Sequence, residues 1–573
     1  MESLEQLLRE RLASAFQAVT GEAADPVVRR SQHADFQADG ALRLARREGS
    51  NPRDLATQIV AQAALDDLCS RVEVSGPGFI NLTVASDTLG RLAGTMNADD
   101  RLGVALAEAE TVVVDYSAPN AAKEMHVGHL RSTIIGDAAV RLLEWLGHRV
   151  IRENHLGDWG TPFAMLIEHL LDVGEVEAAH ELSVGDLDGF YKAARAKFDT
   201  SQEFRERARR RVVLLQRGDP ATLRLWRLLV EESKRYFMTV YRRLESRLTE
   251  PDFVGESAYN HDLASVVDEL DRLGLLRDSE GARCVFPQGF TNRSGEPLPL
   301  IVRKRDGGYG YAATDLATIR HRTQELKATR LLYVVGLPQR QHLEMIFEVA
   351  AEAGWLSPPA RAEHIGFGSV LGADGKLLRS RAGGAVKLVS LLDEAVTRAT
   401  ALVAGRNPDL DQATRAEVAQ AVGIGAVKYA DLSTDRRKDY LFDFDRMLSF
   451  EGNTAPYLQY AHTRIQSIFR RAGVEPPRDG QPVKVSEPAE RTLVIQLLGF
   501  TDIVDEVAET LEFHRLTGYL YDLAVKFTTF YENCPVLRAP EPMRHSRLVL
   551  CDLTARVLAT GLDLLGIAAP GHM

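Results

Sequence analysis

The chain has 573 residues, 45% of them hydrophobic and 26% charged, a length too great for one core and one that predicts about three or four domains. No apolar run approaches the roughly 18 residues of a membrane helix, and the four scattered cysteines, Cys69, Cys284, Cys534 and Cys551, make neither a disulfide framework nor a paired-cysteine metal knuckle. Lys and Arg number 69 against 80 Asp and Glu, a formal net charge of −11, which argues against non-specific coating of nucleic acid but leaves room for a local basic surface.

The opening MESLEQLLRERLASAF mixes acids and bases with apolar residues at helical spacing. It lacks the basic-then-apolar plan of a signal peptide, so the expected location is the cytoplasm. Residues 1–105 read as a helix, two helices separated by a Ser-Asn-Pro break, and a strand from Phe79 to Val84 after a Gly-Pro-Gly turn. That is a small α+β domain. The β-branched run TVVVDYS then begins a second region, 106–400, in which helix and strand signals alternate. Such alternation predicts a Rossmann-type parallel sheet covered by helices, interrupted by an insertion at about 165–300 that starts out helical and charged. The densest basic run lies there, with Arg205, Arg207, Arg209, Arg210 and Arg211 on one expected helix. It fits a solvated face as well as a binding surface. Residues 401–573 are almost entirely helical in pattern, broken by the linker GVEPPRDGQPVKVSEP. The fold class is therefore multidomain α/β, with a small α+β domain before the sheet and an all-α bundle after it.

The stretch SAPNAAKEMHVGHLRSTIIGD, residues 117–137, sits at the seam of the sheet region. Thr111 to Tyr116 is the strand; Leu130, Ile134, Ala138, Leu142 and Trp145 form an i, i+4 stripe on the helix that follows, Gly147 ends it, and HRVIREN supplies the next strand. His126 and His129 thus fall at the start of the first helix of a βαβ unit, where backbone N–H groups and the helix dipole favour anions. Three chemistries compete for the pair. Zinc would need a third ligand, and Val127 and Gly128 stand where a His-Glu-x-x-His motif carries its general base. N-capping or packing would account for two histidines at a helix start with no ligand at all. As ligands of a nucleotide, each imidazole would donate a hydrogen bond to a transferring phosphate, and Gly128 would clear space for an adenine.

The form HVGH resembles the HIGH signature of class I aminoacyl-tRNA synthetases. Six extended segments in order narrow the resemblance to the arginyl-tRNA synthetase family: VVVDYSAPNAAKEMHVGHLRSTIIGDA, NHLGDWGTPF, GYGYAATDLATIR, DGKLLRSRAGGAVKL, VKYADLSTDRRKDYLFDFDRML and FEGNTAPYLQYAHTRI. The resemblance implies that ATP, with Mg²⁺ as its substrate complex, activates L-arginine to arginyl-adenylate. The 3′-terminal ribose of tRNA(Arg) then takes the arginyl group, releasing AMP and pyrophosphate. Positioning and charge stabilisation do most of such catalysis, and no protein-held metal is expected. The family expectation is a monomer.

Residue by residue, the resemblance makes His126, Gly128 and His129 part of the ATP site. The family's KMSKS motif matches Lys376-Leu377-Leu378-Arg379-Ser380, in a loop with Gly372, Gly375, Gly383 and Gly384. Lys376 and Arg379 become the loop's phosphate cations, with Arg379 in place of the usual lysine and a planar fork in place of a point charge. Lys123 is implied as a further phosphate-directed cation. Asp115 and Asn120 match positions for the ammonium and carboxylate of arginine, Asp315 the guanidinium ligand, and Tyr311 its neighbour; Asp315 would alternatively cap the helix DLATIRHRT. Gln339 and His342 match a further pocket segment, with Gln339 the stronger match.

Departures from the family pattern are Gly336 for a frequent Asp, Ala164 for a frequent Gly, and an ending of Gly571-His572-Met573 for a frequent Arg-Met. For tRNA, the resemblance gives the first domain the elbow near the D-loop and the C-terminal bundle the anticodon. Tyr457, Tyr460 and Arg464, on a helix expected from about Pro456 with Ile465, Ile468 and Phe469 inward, suit stacked bases and phosphates; Met573 is the terminal contact. A tRNA-binding paralogue without ligase activity is the alternative.

Overall fold

Val112, Val113 and Val114 are fully buried at the centre of a four-stranded parallel sheet. The computed structural model describes residues 2–175, 187–379 and 386–573. Its strands, in chain order, are β1 (Val28–Arg30), β2 (Phe36–Ala38), β3 (Cys69–Ser75), β4 (Phe79–Val84), β5 (Thr111–Asp115), β6 (Arg149–Glu153), β7 (Arg277–Ser279), β8 (Ala282–Val285), β9 (Leu300–Arg303), β10 (Arg330–Tyr333), β11 (Arg361–His364), β12 (Val370–Leu371) and β13 (Tyr440–Leu441). The chain forms two units, one of Ala107–Leu448 with Leu564–Gly566, the other of Met1–Leu106, Ser449–Asp563 and Ile567–Met573.

In the first unit the strand order is β11-β10-β5-β6, all pairs parallel. The chain leaves β5 through the helix Val127–Trp145 to reach β6 on one side, and β10 joins later on the other side. The order reverses at β5, and a doubly wound sheet opens its ligand crevice at such a point, at the carboxyl ends of the strands. The helices Thr161–Val173, Leu187–Thr200, Gln202–Gln216 and Pro220–Arg243 form the insertion, and their own core joins Phe163, Leu166, Phe190, Phe204 and Leu229 to Ala121 and Ala122 of the loop after β5. Hydrophobic burial of the insertion therefore also anchors that loop. The basic run belongs largely to this packing: Arg211 pairs with Glu168 at 2.7 Å and Arg207 with Asp172 at 2.8 Å, while Arg205 donates to the Asp199 carbonyl.

The domain boundary expected at residue 400 falls inside the helix Leu388–Arg406. That helix and its partner Gln412–Leu432 belong with Ala107–Leu448, because Arg131 of the helix Val127–Trp145, itself buried, binds Asp431 and the Lys438 carbonyl. Helical periodicity is the same on both sides of the junction, so long-range contacts such as this one and the pairing of β12 with β13 mark it.

The second unit joins both ends of the chain. An antiparallel sheet ordered β1-β2-β4-β3 carries Asp35, whose Oδ1 accepts from Arg491 Nε at 3.1 Å, and Arg30, which donates to the Ile495 carbonyl. Both partners lie on the helix Pro488–Leu498. All four cysteines are free and buried. No described helix is long and apolar enough to cross a membrane.

Candidate active site

His126 is the N-cap of the helix Val127–Trp145, and its Nδ1 accepts the Gly128 N–H at 3.0 Å. His129 completes the box: its Nδ1 accepts the His126 N–H at 3.1 Å. The other donors of this turn are used as well, Val127 N–H on the Val386 carbonyl and His129 N–H on the His126 carbonyl. The backbone N–H groups of this helix start, a place that favours anions, are thus satisfied by the histidines and by the Val386 carbonyl. Capping does not compete with phosphate binding. A neutral imidazole that accepts at Nδ1 carries its proton on Nε2, so each ring keeps one donor. Burial, and then the charge of Lys123, hold His126 below the usual imidazole range; burial and the neighbouring His126 push His129 down to about 3. Both rings are neutral at pH 7, and positive charge must come from elsewhere. Gly128 is needed for a nearer reason than an adenine: a Cβ there would lie 2.7 Å from Cε1 of His126.

The turn between β5 and this helix is held in an unusual backbone state. Ser117, Ala118 and Ala122 have φ of 69°, 44° and 59°, positive values that persist in non-glycine residues only when the surroundings enforce them. Here Ser117 N–H donates to Ser132 Oγ at 2.9 Å, the Ser117 and Tyr241 hydroxyls lie 2.7 Å apart, and Ala118 N–H donates to Asn154 Oδ1 at 3.0 Å. Asn120 is exposed and its side chain lies over Gly157, where a Cβ would come within 2.4 Å of Asn120 Oδ1. Asp115, expected to face the substrate ammonium, is only 6% exposed and binds Arg322, which also binds Glu153.

The matched phosphate loop is a hairpin over its described part. Leu371 bridges Leu377, Leu378 N–H donates to the Val370 carbonyl, and Gly375 turns the chain at φ 72°. Lys376 and Arg379 are exposed and make no side-chain ion pair among the described residues; Ser380, Gly383 and Gly384 lie outside the described residues. Both ends of this segment are tied down: β12 pairs with β13, and Leu388 N–H donates to the Met125 carbonyl, with Lys387 bound to Glu124 at 2.9 Å. The second motif thus grows from the first. Lys123 places its ammonium 4.4 Å from the centre of the Tyr191 ring, a cation–π contact with the insertion.

Asp315 lies within the helix Tyr311–Gln324, whose N-cap is Gly310, so it does not cap. Its Oδ2 meets His342 Nε2 at 2.6 Å, and this contact raises the imidazole above its usual range. Tyr311, one turn earlier on the same face and 72% exposed, makes no side-chain hydrogen bond among the described residues. Gln339 is exposed at the end of a short 3₁₀ turn, with no side-chain hydrogen bond among the described residues. His342, the weaker of the two sequence matches, is the one in contact. Sequence reasoning missed Glu256, whose carboxyl is pushed up to about 7 by burial, then by Asp158 and Asp315. Gly336 is not required by space, since the nearest atoms to a Cβ are at 3.6 and 3.8 Å; Ala164 is buried in the helix Thr161–Val173. Among the described residues no group of three or more His, Cys, Asp or Glu could hold a metal ion.

In the second unit the helix Ala455–Ala472 turns Tyr457, Tyr460 and Arg464 to one side at i, i+3, i+7 spacing. Tyr460 is 44% exposed, Tyr457 lies 5.6 Å from Tyr521, and Arg464 sits over Tyr531 at 5.0 Å. Ile465, Ile468 and Phe469 face inward. The tail leading to Met573 runs along the same helix, with Gln459 donating to the Ala568 carbonyl, Thr463 to that of Pro570 and Arg470 to that of Gly571.

Residues 92–444 match the family model for the class I (R) tRNA synthetase catalytic domain, residues 458–573 the DALR anticodon binding domain, and residues 2–84 the arginyl-tRNA synthetase N-terminal domain. The chain is 56% identical to the arginine–tRNA ligase of Thermobifida fusca over 99% of each chain, and 49% identical to that of Streptomyces avermitilis over 100% of this chain and 99% of the other. Among solved structures, arginyl-tRNA synthetase from Plasmodium falciparum matches with a TM-score of 0.87 at 28% identity, and that from Thermus thermophilus with 0.80 at 26%, each covering 100% of both chains. The chain belongs to the class I arginyl-tRNA synthetase family.

Proposed function

We propose that the crevice at the carboxyl ends of β5 and β10 is the arginine–tRNA ligase site, in which the arginine carboxylate attacks the α-phosphorus of ATP, pyrophosphate leaves, and tRNA(Arg) accepts the arginyl group on its 3′-terminal ribose. The observation that carries this reading is the capping box of His126 and His129, which fixes two rings whose Nε2 atoms make no hydrogen bond among the described residues. Their Nε2–H groups donate to phosphate oxygens as charge shifts toward pyrophosphate. Lys376 and Arg379 on the hairpin, with Lys123, supply cations to the same phosphates. Mg²⁺ arrives with ATP and neutralises phosphate charge.

Asp315 and Glu256 receive the guanidinium, with Tyr311 bordering it, Asn120 holds the substrate carboxylate and Asp115 its ammonium. Gln339 completes the wall beside His342. In the second unit, Tyr457, Tyr460 and Arg464 meet the anticodon end of the tRNA, Met573 closes that surface, and residues 1–105 meet the elbow. The chain works in this reading as a cytoplasmic monomer.

ATP–pyrophosphate exchange, run with each amino acid and with or without tRNA, tests the assignment. Exchange with arginine alone, and only when tRNA(Arg) is present, is expected. Exchange driven by another amino acid, or none under any condition, would overturn it.

A further inference from the structure

The register of the parallel sheet sets Glu153 beside Asp115 and Asp115 beside Tyr333, the last residue of each of three neighbouring strands. Arg322, fully buried on the helix Tyr311–Gln324, lies across that row. Its Nε donates to Glu153 Oε2 at 2.8 Å, its Nη2 donates to Asp115 Oδ2 at 2.7 Å, and its guanidinium carbon is 5.0 Å from the centre of the Tyr333 ring. Among the described residues no other cation hydrogen-bonds either carboxylate, and Asp115 Oδ1 accepts no hydrogen bond. Two carboxylates against one guanidinium leave one negative charge in surplus. A surplus charge held out of water is unfavourable until a cation joins it.

We propose that Arg322 and Glu153 are positioning residues for the substrate's α-ammonium: Arg322 holds Asp115 by one oxygen, and Glu153 offsets the charge of Arg322 so that Asp115 keeps its own for the ligand. The proposal rests on the reading of Asp115 as the ammonium ligand. Without Glu153, Asp115 and Arg322 would close into a neutral pair with little left to attract a cation. A side chain one strand away, at the strand spacing of about 4.8 Å, therefore governs affinity for a group that it does not touch.

The test compares two ligands on the full chain by isothermal titration, L-arginine and 5-guanidinopentanoic acid, which is the same molecule without its amino group. The wild type prefers L-arginine. In Glu153→Gln, whose amide still accepts from Arg322, affinity for L-arginine falls about ten-fold while that for the deaminated ligand hardly moves. Arg322→Lys keeps the charge but loses the planar fork and narrows the preference in the same way; it carries the comparison alone if Glu153→Gln does not fold. Equal weakening of both ligands would mean a merely structural role and overturn the proposal. Asp115→Asn separates the two levels. If it abolishes the preference and the other variants keep it, the proposal falls and the Asp115 reading stands; if Asp115→Asn also keeps the preference, the Asp115 reading falls with it.

Discussion

In the proposed site the guanidinium meets two protonation events, one on His342 against Asp315 and one on Glu256 itself. His342 is raised above its ordinary value of about 6.5 by its hydrogen bond to Asp315, so below that raised pKa an imidazolium occupies the acid. Glu256 titrates at about 7. Both folded values lie above the unfolded ones, so the stability each group contributes is complete below the unfolded pKa and is lost as pH rises through the folded one. The ligand-free site therefore becomes less comfortable past neutrality just as its acids become free to bind a cation. Arginine affinity is expected to rise about ten-fold between pH 6 and pH 8, with a shallower slope in Glu256→Gln and in His342→Asn; calorimetric titration across that range checks it, and a flat wild-type profile would count against Asp315 as the guanidinium ligand. Asp315 came from the resemblance of GYGYAATDLATIR to the family. Glu256, Glu153 and Arg322 escaped notice because nothing local distinguishes them: each acquires its role from a partner 59 or more residues away, as Arg322 does from Asp115 at a separation of 207.

For the elements, the helix Val127–Trp145 is where sequence and structure inform one another best. Its strand neighbours, its start near the histidines and its end before Gly147 follow from β-branching, apolar spacing and a glycine at φ 96°. What spacing alone left open was the choice between a cap and a phosphate ligand, since that depends on which ring nitrogen faces inward. Gly128→Ala tests the coupling of the two. The new methyl would collide with the His126 ring, removing a cap worth about 1 kcal/mol and turning Nε2–H away from the phosphates. Turnover in the exchange assay should drop on the order of 100-fold, melting temperature by only a few degrees, and arginine affinity not at all, because Asp315 stands on another helix. Unchanged turnover would show that the cap and the chemistry are separate. A boundary at residue 400 cuts the helix Leu388–Arg406 and parts it from Gln412–Leu432, although both belong with Ala107–Leu448, for a physical reason: an amphipathic helix announces that it packs, not against what.

Over the whole molecule, a net charge of −11 has to coexist with a polyanionic partner. Two of the insertion's arginines, Arg207 and Arg211, are committed to Asp172 and Glu168, which leaves the exposed Arg209 and Arg210 of the run without interleaved aromatic residues. The aromatic and basic face of Ala455–Ala472 is the better surface. Tyr460→Ala should weaken tRNA(Arg) binding by about 1–3 kcal/mol through lost stacking, and Arg464→Ala should reduce the slope of log affinity against log salt by about 1; filter binding over a salt series reads both. Insensitivity to the two changes would move the interface off this helix. The surface was visible in the sequence as interleaved aromatic and basic residues, whereas its seating, with Arg464 over Tyr531 and the tail laid alongside, was not.

The joining of both chain ends in one unit has a consequence during synthesis. Asp35 and Arg491 are 456 residues apart, so the small N-terminal sheet emerges from the ribosome long before the helix that covers it exists. At elongation rates of about 5–20 residues per second, that interval is tens of seconds, in which residues Ala107–Leu448 can already fold. The last part of the chain to be completed is then the unit that holds the match to the anticodon binding domain, so on the proposed reading a nascent chain owns its catalytic crevice before it owns a finished surface for the transfer RNA on which its own translation depends.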